Sequence, residues 1–422
     1  MGARVIFCNR FFWPDESATA QILSDVAFDL AARGQPVTVV TSQLSYSDPK
    51  RHLAAREEVA GVQILRVRTW GGGRQALLAK AAHFVTFYMA ASTAAWREVR
   101  RGDVLVAKTD PPLLSIPMML VARMRGAKFV VWIQDLYPEL AGRLGVAIAR
   151  GLTGRFLAML RNKSLKAASA NVVIGKRMLS ILCSQGVRED QIVMIPNWTA
   201  DRALLPNASG HQSLRKEWGF ASSDTIVGYS GNLGRAHDVD TILHAAKELQ
   251  LSGRSDIHFL FVGGGKTREY LYQRASTLGL GNIAYRPYVE RSRLGESMAV
   301  ADIHWLSLKP DLEGMIVPSK FYGIAASARP AIFVGSPTGE IAELLEKHGA
   351  GLTCPVGNSA LLAQQIVQLA DDPEFRTRLG RNGRRAIDES LNQRVSTSAW
   401  ASLINRLVSQ MDTRKNLWRD SA

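Results

Sequence analysis

The stretch LEGMIVPSKFYGIAASARPAIFVG occupies residues 312–335. It opens on an acid, Glu313, followed by Gly314 and then a turn at Pro318-Ser319-Lys320. Small residues through Ala325-Ala326 read as a short helix, which Arg329-Pro330 ends ahead of an apolar strand at 331–334. An acid-bearing loop, a helix and a strand in that order belong to an open α/β sheet, whose loops at the carboxyl edge receive ligands.

Outward from this stretch the same alternation fills the 422 residues. Apolar, β-branched runs at 3–8, 36–41, 103–107, 129–133 and 171–174 predict strands in the first half. Runs at 225–229, 258–262, 283–285, 302–307, 331–334 and 351–353 predict them in the second. Helical stretches lie between, such as 20–33 ended by Gly34. That alternation argues for parallel sheets covered by helices on both faces. The texture breaks after Ile195-Pro196-Asn197-Trp198, where Pro206, Asn207, Ser209 and Gly210 read as a linker. The expected class is α/β, with two Rossmann-like domains facing across a cleft. Their expected bounds are 1–200, a linker at 201–215, and 216–394, with a C-terminal helix near 395–422 returning to the first domain.

Composition excludes other classes. Hydrophobic residues make up 46% and charged residues 21%, which rules out a disordered chain, collagen and a disulfide scaffold. Cys8, Cys183 and Cys354 stand far apart without metal-site spacing, so they read as reduced thiols. The net charge of +15 is uneven: residues 1–200 hold 26 basic and 14 acidic residues. Residues 140–188 contain no acid, nor do residues 59–97. Such a surface seeks anions. Residues 141–169 mix apolar and basic side chains as a helix lying on an anionic membrane does. Residues 76–96 are interrupted by Lys80 and His83, and 113–122 is half the length a span needs, so no transmembrane helix is expected.

Two glycine-bearing turns point to an anionic ligand. In YSGNLGRAHDVD (229–240), Gly231 and Gly234 follow a strand and precede a helix, where backbone N–H groups approach a phosphate. Any strand–helix turn has a similar look. Gly263-Gly264-Gly265-Lys266 ends the strand FLFV at the same sheet edge. Asp238-Val239-Asp240 imitates a metal-binding pair, but two acids at a helix N-terminus also favour the helix dipole. No metal is expected there.

Taken together these segments resemble the GT-B glycosyltransferases of family 4. Their motif is Glu-Gly-x-x-x-Pro followed by Glu-Ala-x-Ala-x-Gly-x-Pro. Glu313-Gly314 and Pro318 match the first half; Ala325-Ala326 and Arg329-Pro330 match the second. The resemblance implies that Glu313 hydrogen-bonds sugar hydroxyls, with the backbone N–H groups of Met315, Ile316 and Val317 facing sugar and phosphate. The chain departs from the pattern where Gly323 stands in place of the second glutamate, the ribose ligand, and where the intervening segment is two residues longer. Asn232 and His237 replace the usual basic pair. The PSK turn and YSGN loop are similar to a subgroup working on bacterial surface polysaccharides, such as colanic acid and O-antigen. Lys320, with Ser319 beside it, and Arg235 then become the candidates for diphosphate. Gly231, Asn232, Gly234, Gly263 and Gly264 complete the expected donor site.

The first half carries the rest of the resemblance. Residues 9–16, NRFFWPDE, followed by Ala18-Thr19-Ala20-Gln21, are similar to the subgroup's first loop. Thr109-Asp110-Pro111-Pro112 and Gln134-Asp135-Leu136-Tyr137-Pro138-Glu139 resemble two more loops, and Ile195-Pro196-Asn197-Trp198 the interdomain hinge. This implies catalytic roles for Asp135 and Glu16 beside Glu313, and acceptor binding by Asp15, Thr19, Asp110 and Glu139. Read as residues alone, Asp135 is either a carboxylate at a strand end or a helix cap, and Asp15 and Glu16 either orient hydroxyls or cap a loop. His237 reads as a surface histidine, His304 as core.

The expected reaction is retaining transfer of a sugar from a nucleotide sugar, a UDP-sugar by family prevalence, without metal or cofactor. The leaving diphosphate develops negative charge, which Arg, Lys and helix N-termini stabilise. The expected acceptor is a polyprenyl-diphosphate-linked glycan in exopolysaccharide or O-antigen assembly. The expected place is the cytoplasmic face of the inner membrane, peripherally bound to its anionic surface. Nucleic acid is not expected, since no aromatic–basic RNA motif is present. Competing readings are a nucleotide-sugar 2-epimerase of GT-B fold and a non-catalytic protein that binds anionic membranes or polymers.

Overall fold

The computed structural model describes residues 3–15, 17–45, 53–70, 77–199 and 208–419. The chain divides into two compact units, residues 1–196 with 393–422 and residues 197–392.

The N-terminal unit runs β1 (Val5–Cys8), α1 (Ala18–Ala32), β2 (Val37–Ser42), β3 (Arg56–Val59), β4 (Val62–Val67), α2 (Leu77–Glu98), β5 (Val104–Lys108), α3 (Ser115–Arg125), β6 (Lys128–Trp132), α4 (Glu139–Arg143), α5 (Gly151–Ala167), β7 (Ala170–Val173), α6 (Lys176–Ser184) and β8 (Ile192–Met194). Its sheet has the order β3-β4-β2-β1-β5-β6-β7-β8. Every pair is parallel except the edge hairpin β3–β4. The central strands β1, β5 and β7 are buried at every position, so both sheet faces are covered and the strands read as continuous apolar runs. Strands β3, β4 and β8 are not among the predicted apolar runs.

The C-terminal unit runs α7 (Ala208–Glu217), β9 (Thr225–Asn232), α8 (Asp240–Leu251), β10 (Ile257–Gly264), α9 (Arg268–Thr277), β11 (Ile283–Arg286), α10 (Leu294–Val300), β12 (Ile303–Ser307), α11 (Lys320–Ala326), β13 (Ala331–Val334), α12 (Glu340–His348), β14 (Gly351–Cys354), α13 (Ser359–Asp371) and α14 (Pro373–Glu389). Its all-parallel sheet has the order β11-β10-β9-β12-β13-β14. Strand order reverses at β9, the kind of switch point at which α/β sheets bind ligands.

The last helix, α15 (Gln393–Arg419), belongs to the N-terminal unit. Its Trp400 is fully buried, 4.4 Å from the Trp132 ring and 6.2 Å from that of Phe7. Ser396 Oγ donates to the Pro196 carbonyl at 3.1 Å.

The linker reading of 201–215 is corrected over its second part. Residues 208–217 are helical because Leu214 packs into a buried cluster with Leu260, Val262 and Val300, and Trp218 packs against it. Residues 200–207 lie outside the described ones. Among the described residues no helix is long and apolar enough to cross a membrane.

Candidate active site

In the C-terminal unit Gly231, Asn232, Gly263 and Lys320, among the expected donor residues, meet at the carboxyl end of β9. Gly231 has φ +120°, and a Cβ there would lie 3.0 Å from Lys320 Cε. Glycine therefore lets the lysine cross directly over the strand end. Lys320 Nζ donates to the Asn232 carbonyl at 3.2 Å and lies 5.2 Å from the Tyr229 ring centroid. Burial pulls its pKa down to about 8. A desolvated ammonium held by one carbonyl and a ring face is poised for an anion.

His237, read as a surface residue, is turned inward. Its Nδ1 lies 2.7 Å from the Ser307 carbonyl and its ring packs edge-on to Tyr229 at 5.7 Å. Burial, reinforced by Lys320, pushes its pKa down to about 4, so the ring is neutral at physiological pH. Nδ1 then carries the proton donated to Ser307. Tyr288 is a further residue that no motif announces. Its ring sits over the Gly263–Gly264 backbone, where added Cβ atoms would meet it at 3.0 and 3.2 Å.

The glycines divide by role. A Cβ at Gly263 would stand 2.4 Å from the Gly231 carbonyl oxygen, and one at Gly265 2.3 Å from that of Leu233. These residues bring the ends of β9 and β10 together. Gly234 has only Asn232 Nδ2 near it, at 3.7 Å, and nothing there demands glycine. Asn232 and Arg235 are exposed beside it.

Glu313 lies on the N-terminus of α12. Its Oε1 accepts from the Glu340 N–H at 2.8 Å, and a Cβ at Gly339 would be 2.5 Å from Oε2. Part of the carboxylate thus anchors a helix start. One expectation is corrected: the Met315 N–H is donated to the Leu312 carbonyl at 3.0 Å, because residues 312–315 close a turn, so it does not face a ligand. Ile316 bridges to Glu313, Val317 is buried, and Ser319 begins α11 exposed. Asp238 Oδ1 accepts from the Thr241 N–H at 3.1 Å, and Asp240 takes the Tyr270 hydroxyl at 2.9 Å and Arg274 Nε at 3.3 Å. The pair thus serves the start of α8. His304 is core, with Nε2 2.8 Å from the Met298 carbonyl.

In the N-terminal unit three loops stand side by side, because β1, β5 and β6 are adjacent and parallel. The Arg10 N–H donates to the Asp110 carbonyl at 2.7 Å, and its guanidinium pairs with the Asp110 carboxylate at 3.2 Å. The Gln134 N–H donates to Thr109 Oγ1 at 3.1 Å. Between the loops lies Lys108, unpredicted and 1% exposed. Its Nζ donates to the Thr19 carbonyl at 2.7 Å and lies 4.1 Å from the Trp132 ring centroid. Burial pulls Lys108 down to about 7, against the carboxylates of Asp110, Asp135 and Asp25. Burial, then the charge of Asp110, raises Asp135 to about 7, while Lys108 opposes the shift. Burial raises Asp110 too, against Arg10, Lys108 and His83. Two carboxyls and an ammonium thus share a desolvated pocket, in which Asp135 and Lys108 titrate near neutrality and Asp110 is shifted upward.

Asp15 is buried and accepts from Ser45 Oγ at 2.8 Å. Glu16 lies outside the described residues. Glu139 Oε1 takes Arg161 Nη2 and, at 3.0 Å, Gln185 Nε2, so this oxygen ties the loop internally. The basic runs are corrected at two positions. Arg161, 4% exposed, also donates to the Tyr137 carbonyl at 3.0 Å. Arg66, 3% exposed, donates to the Trp13 carbonyl at 2.8 Å and pairs with Glu57. Both are scaffold, since guanidinium forks satisfy several buried loop carbonyls at once.

Residues 211–386 match the family described as glycosyl transferases group 1, and residues 18–198 the glycosyl transferase 4-like domain. The chain is 25% identical to the probable glycosyltransferase WbjE of Pseudomonas aeruginosa over 74% of this chain and 76% of that protein. It is 23% identical to the putative colanic acid biosynthesis glycosyl transferase WcaI of Escherichia coli K12, over 83% and 88%. Its structure is similar to that of Anabaena Alr3699/HepE in complex with UDP and glucose. There the TM-score is 0.71 at 15% identity, covering 96% of this chain and 100% of that one.

Proposed function

Since the chain belongs to the glycosyl transferases and is an enzyme of GT-B fold, we propose that it transfers a sugar, with retained configuration, from a UDP-sugar to a polyprenyl-diphosphate-linked glycan. WcaI is named for colanic acid biosynthesis and the HepE structure holds UDP, which supports polysaccharide assembly and a uridine donor. The observation that carries the reading is Lys320, desolvated at a parallel sheet's switch point on Asn232, Tyr229 and Gly231.

The donor diphosphate lies against Lys320 and Arg235, which stabilise the charge that grows as the bond from the anomeric carbon to diphosphate breaks. The acceptor hydroxyl oxygen bonds to that carbon on the same face, and its proton passes to the departing phosphate oxygen. The second carboxylate oxygen of Glu313 takes a sugar hydroxyl while the first holds Glu340. Asp135, its pKa raised by burial and by the charge of Asp110, orients the acceptor hydroxyl. The acceptor is lipid-borne, so the protein works peripherally on the anionic cytoplasmic face of the inner membrane.

A thermal-shift panel of nucleotide sugars tests the donor half. Stabilisation by a UDP-sugar, lost in Lys320→Met, is expected. Equal response of wild type and variant removes Lys320 from the donor site.

A further inference from the structure

Helices α2, α3 and α5 pack side by side, α2 on α3 and α3 on α5. Each turns an apolar stripe outward at helical spacing. On α2 the stripe is Val85, Met89 and Trp96, with Met89 68% exposed. On α3 it is Leu120 and Met124. On α5 it is Leu152, Phe156 and Met159, with Leu152 82% exposed. Of the seventeen large apolar side chains exposed among the described residues, ten lie on these helices or on the turn leading into α5, and three on the whole C-terminal unit. This clustering exceeds the scatter of single apolar residues on an ordinary surface.

The charge around the stripes has one sign. Arg97, Arg123, Arg155 and Lys163 are exposed among them, and Arg125 lies 5.2 Å from the Trp96 ring centroid. Among the described residues of the three helices the one acid is Glu98, which faces Arg56 at 3.8 Å. An apolar face with basic side chains and a tryptophan at its margin matches a lipid surface: the apolar residues enter the acyl boundary and the cations meet phosphates.

We propose that this three-helix face docks the protein, without spanning, on an anionic lipid bilayer. The docking element is therefore broader than the basic run 141–169, and buried Arg161 is no part of it. The inference rests on the reading of a lipid-borne acceptor.

The test is co-sedimentation of the full chain at physiological salt with phosphatidylcholine vesicles, with and without phosphatidylglycerol. One variant removes apolar contacts (Met89→Ser, Leu120→Ser, Phe156→Ser), and another reverses charge (Arg123→Glu, Arg155→Glu, Lys163→Glu). Wild type is expected on anionic vesicles only, and each variant is expected to bind at least about tenfold more weakly. Unchanged melting temperature and unchanged UDP-sugar binding show that the variants fold. Vesicle binding by both folded variants equal to wild type overturns the proposal. So does a wild-type dimer that the apolar variant disperses, with no vesicle binding, since a second copy would then own the face. The assay holds no donor or acceptor, so its failure leaves the transfer reading standing, and vesicle binding without transfer refutes that reading alone.

Discussion

Replacing Lys320 by methionine separates a ligand-binding lysine from a structural one, because the two roles give opposite signs. Burial lowers Lys320 from 10.5 to about 8. That depression corresponds to ~3 kcal/mol, at ~1.4 kcal/mol per tenfold change in the proton equilibrium. The side chain is only partly buried, so solvent screening reduces the figure to ~1–3 kcal/mol. Free protein bears this cost below pH 8, where folded and unfolded chains both hold the proton. It fades from about pH 8 to 10.5, where the unfolded chain alone stays protonated, so stability rises with pH across that window. Methionine keeps most of the packing and removes the charge. Lys320→Met should therefore gain up to ~1–3 kcal/mol of unliganded stability at neutral pH, and the difference should shrink between pH 8 and 10.5. In the complex the ammonium meets a diphosphate, a charge-assisted contact of ~1.5–3 kcal/mol, so donor affinity should fall ~10- to 150-fold. Urea unfolding across pH and calorimetric titration with the UDP-sugar give both numbers. A variant less stable than wild type that binds donor unchanged would show Lys320 to be a tie for β9.

Asp135→Asn should lower turnover at least about tenfold above neutrality and abolish the acid limb of the pH–rate profile. In wild type that limb should fall near pH 7, where the raised carboxyl gains its proton, and a limb near the ordinary carboxylate range would contradict the desolvated pocket. Glu313→Gln keeps one oxygen for the Glu340 N–H, so melting should hardly move while kcat/KM drops about tenfold, ~1.4 kcal/mol; wild-type kcat/KM would confine Glu313 to helix anchoring. Arg161→Ala leaves Gln185 Oε1 and the Tyr137 carbonyl without the guanidinium, and Glu139 with Gln185 as donor but no countercharge from Arg161, and should cost ~2–4 kcal/mol in urea unfolding. An unchanged midpoint would return Arg161 to the solvated surface.

Periodicity alone located eleven strands, all present, because a parallel strand buried on both faces is an uninterrupted apolar run. The hairpin β3–β4 escaped it. Arg56–Val59 carries three charged residues at a sheet edge, and its turn depends on Ala60 and Gly61 at φ 47° and 78°, which two-residue spacing announces only weakly. Helix α7 escaped because Pro206 and Gly210 read as loop, while its burial depends on distant Leu260 and Val300. The turn after β9 was legible at Gly231, which follows a strand and precedes a helix, whereas Lys320 reaches that turn from 88 residues along the chain. Lys108 was not legible, although a lysine closing the apolar run VLVAK is a signal of burial. Arg66 and Arg161 were misread for the converse reason: an acid-free stretch says nothing of which cations turn inward to loop carbonyls. The tie between Glu139 and Arg161, 22 residues apart, was equally out of reach.

Sugar transfer is tested most directly by incubating the purified protein with radiolabelled UDP-sugars and lipid extracts containing polyprenyl-diphosphate-linked glycans, then extracting the lipid and determining the new linkage. Label should enter the lipid fraction from a UDP-sugar with the anomeric configuration unchanged, and should enter ~10- to 150-fold more slowly with Lys320→Met at sub-saturating donor. Inverted configuration in the product would contradict same-face attack, and epimer interconversion of the UDP-sugar without any acceptor would contradict transfer itself.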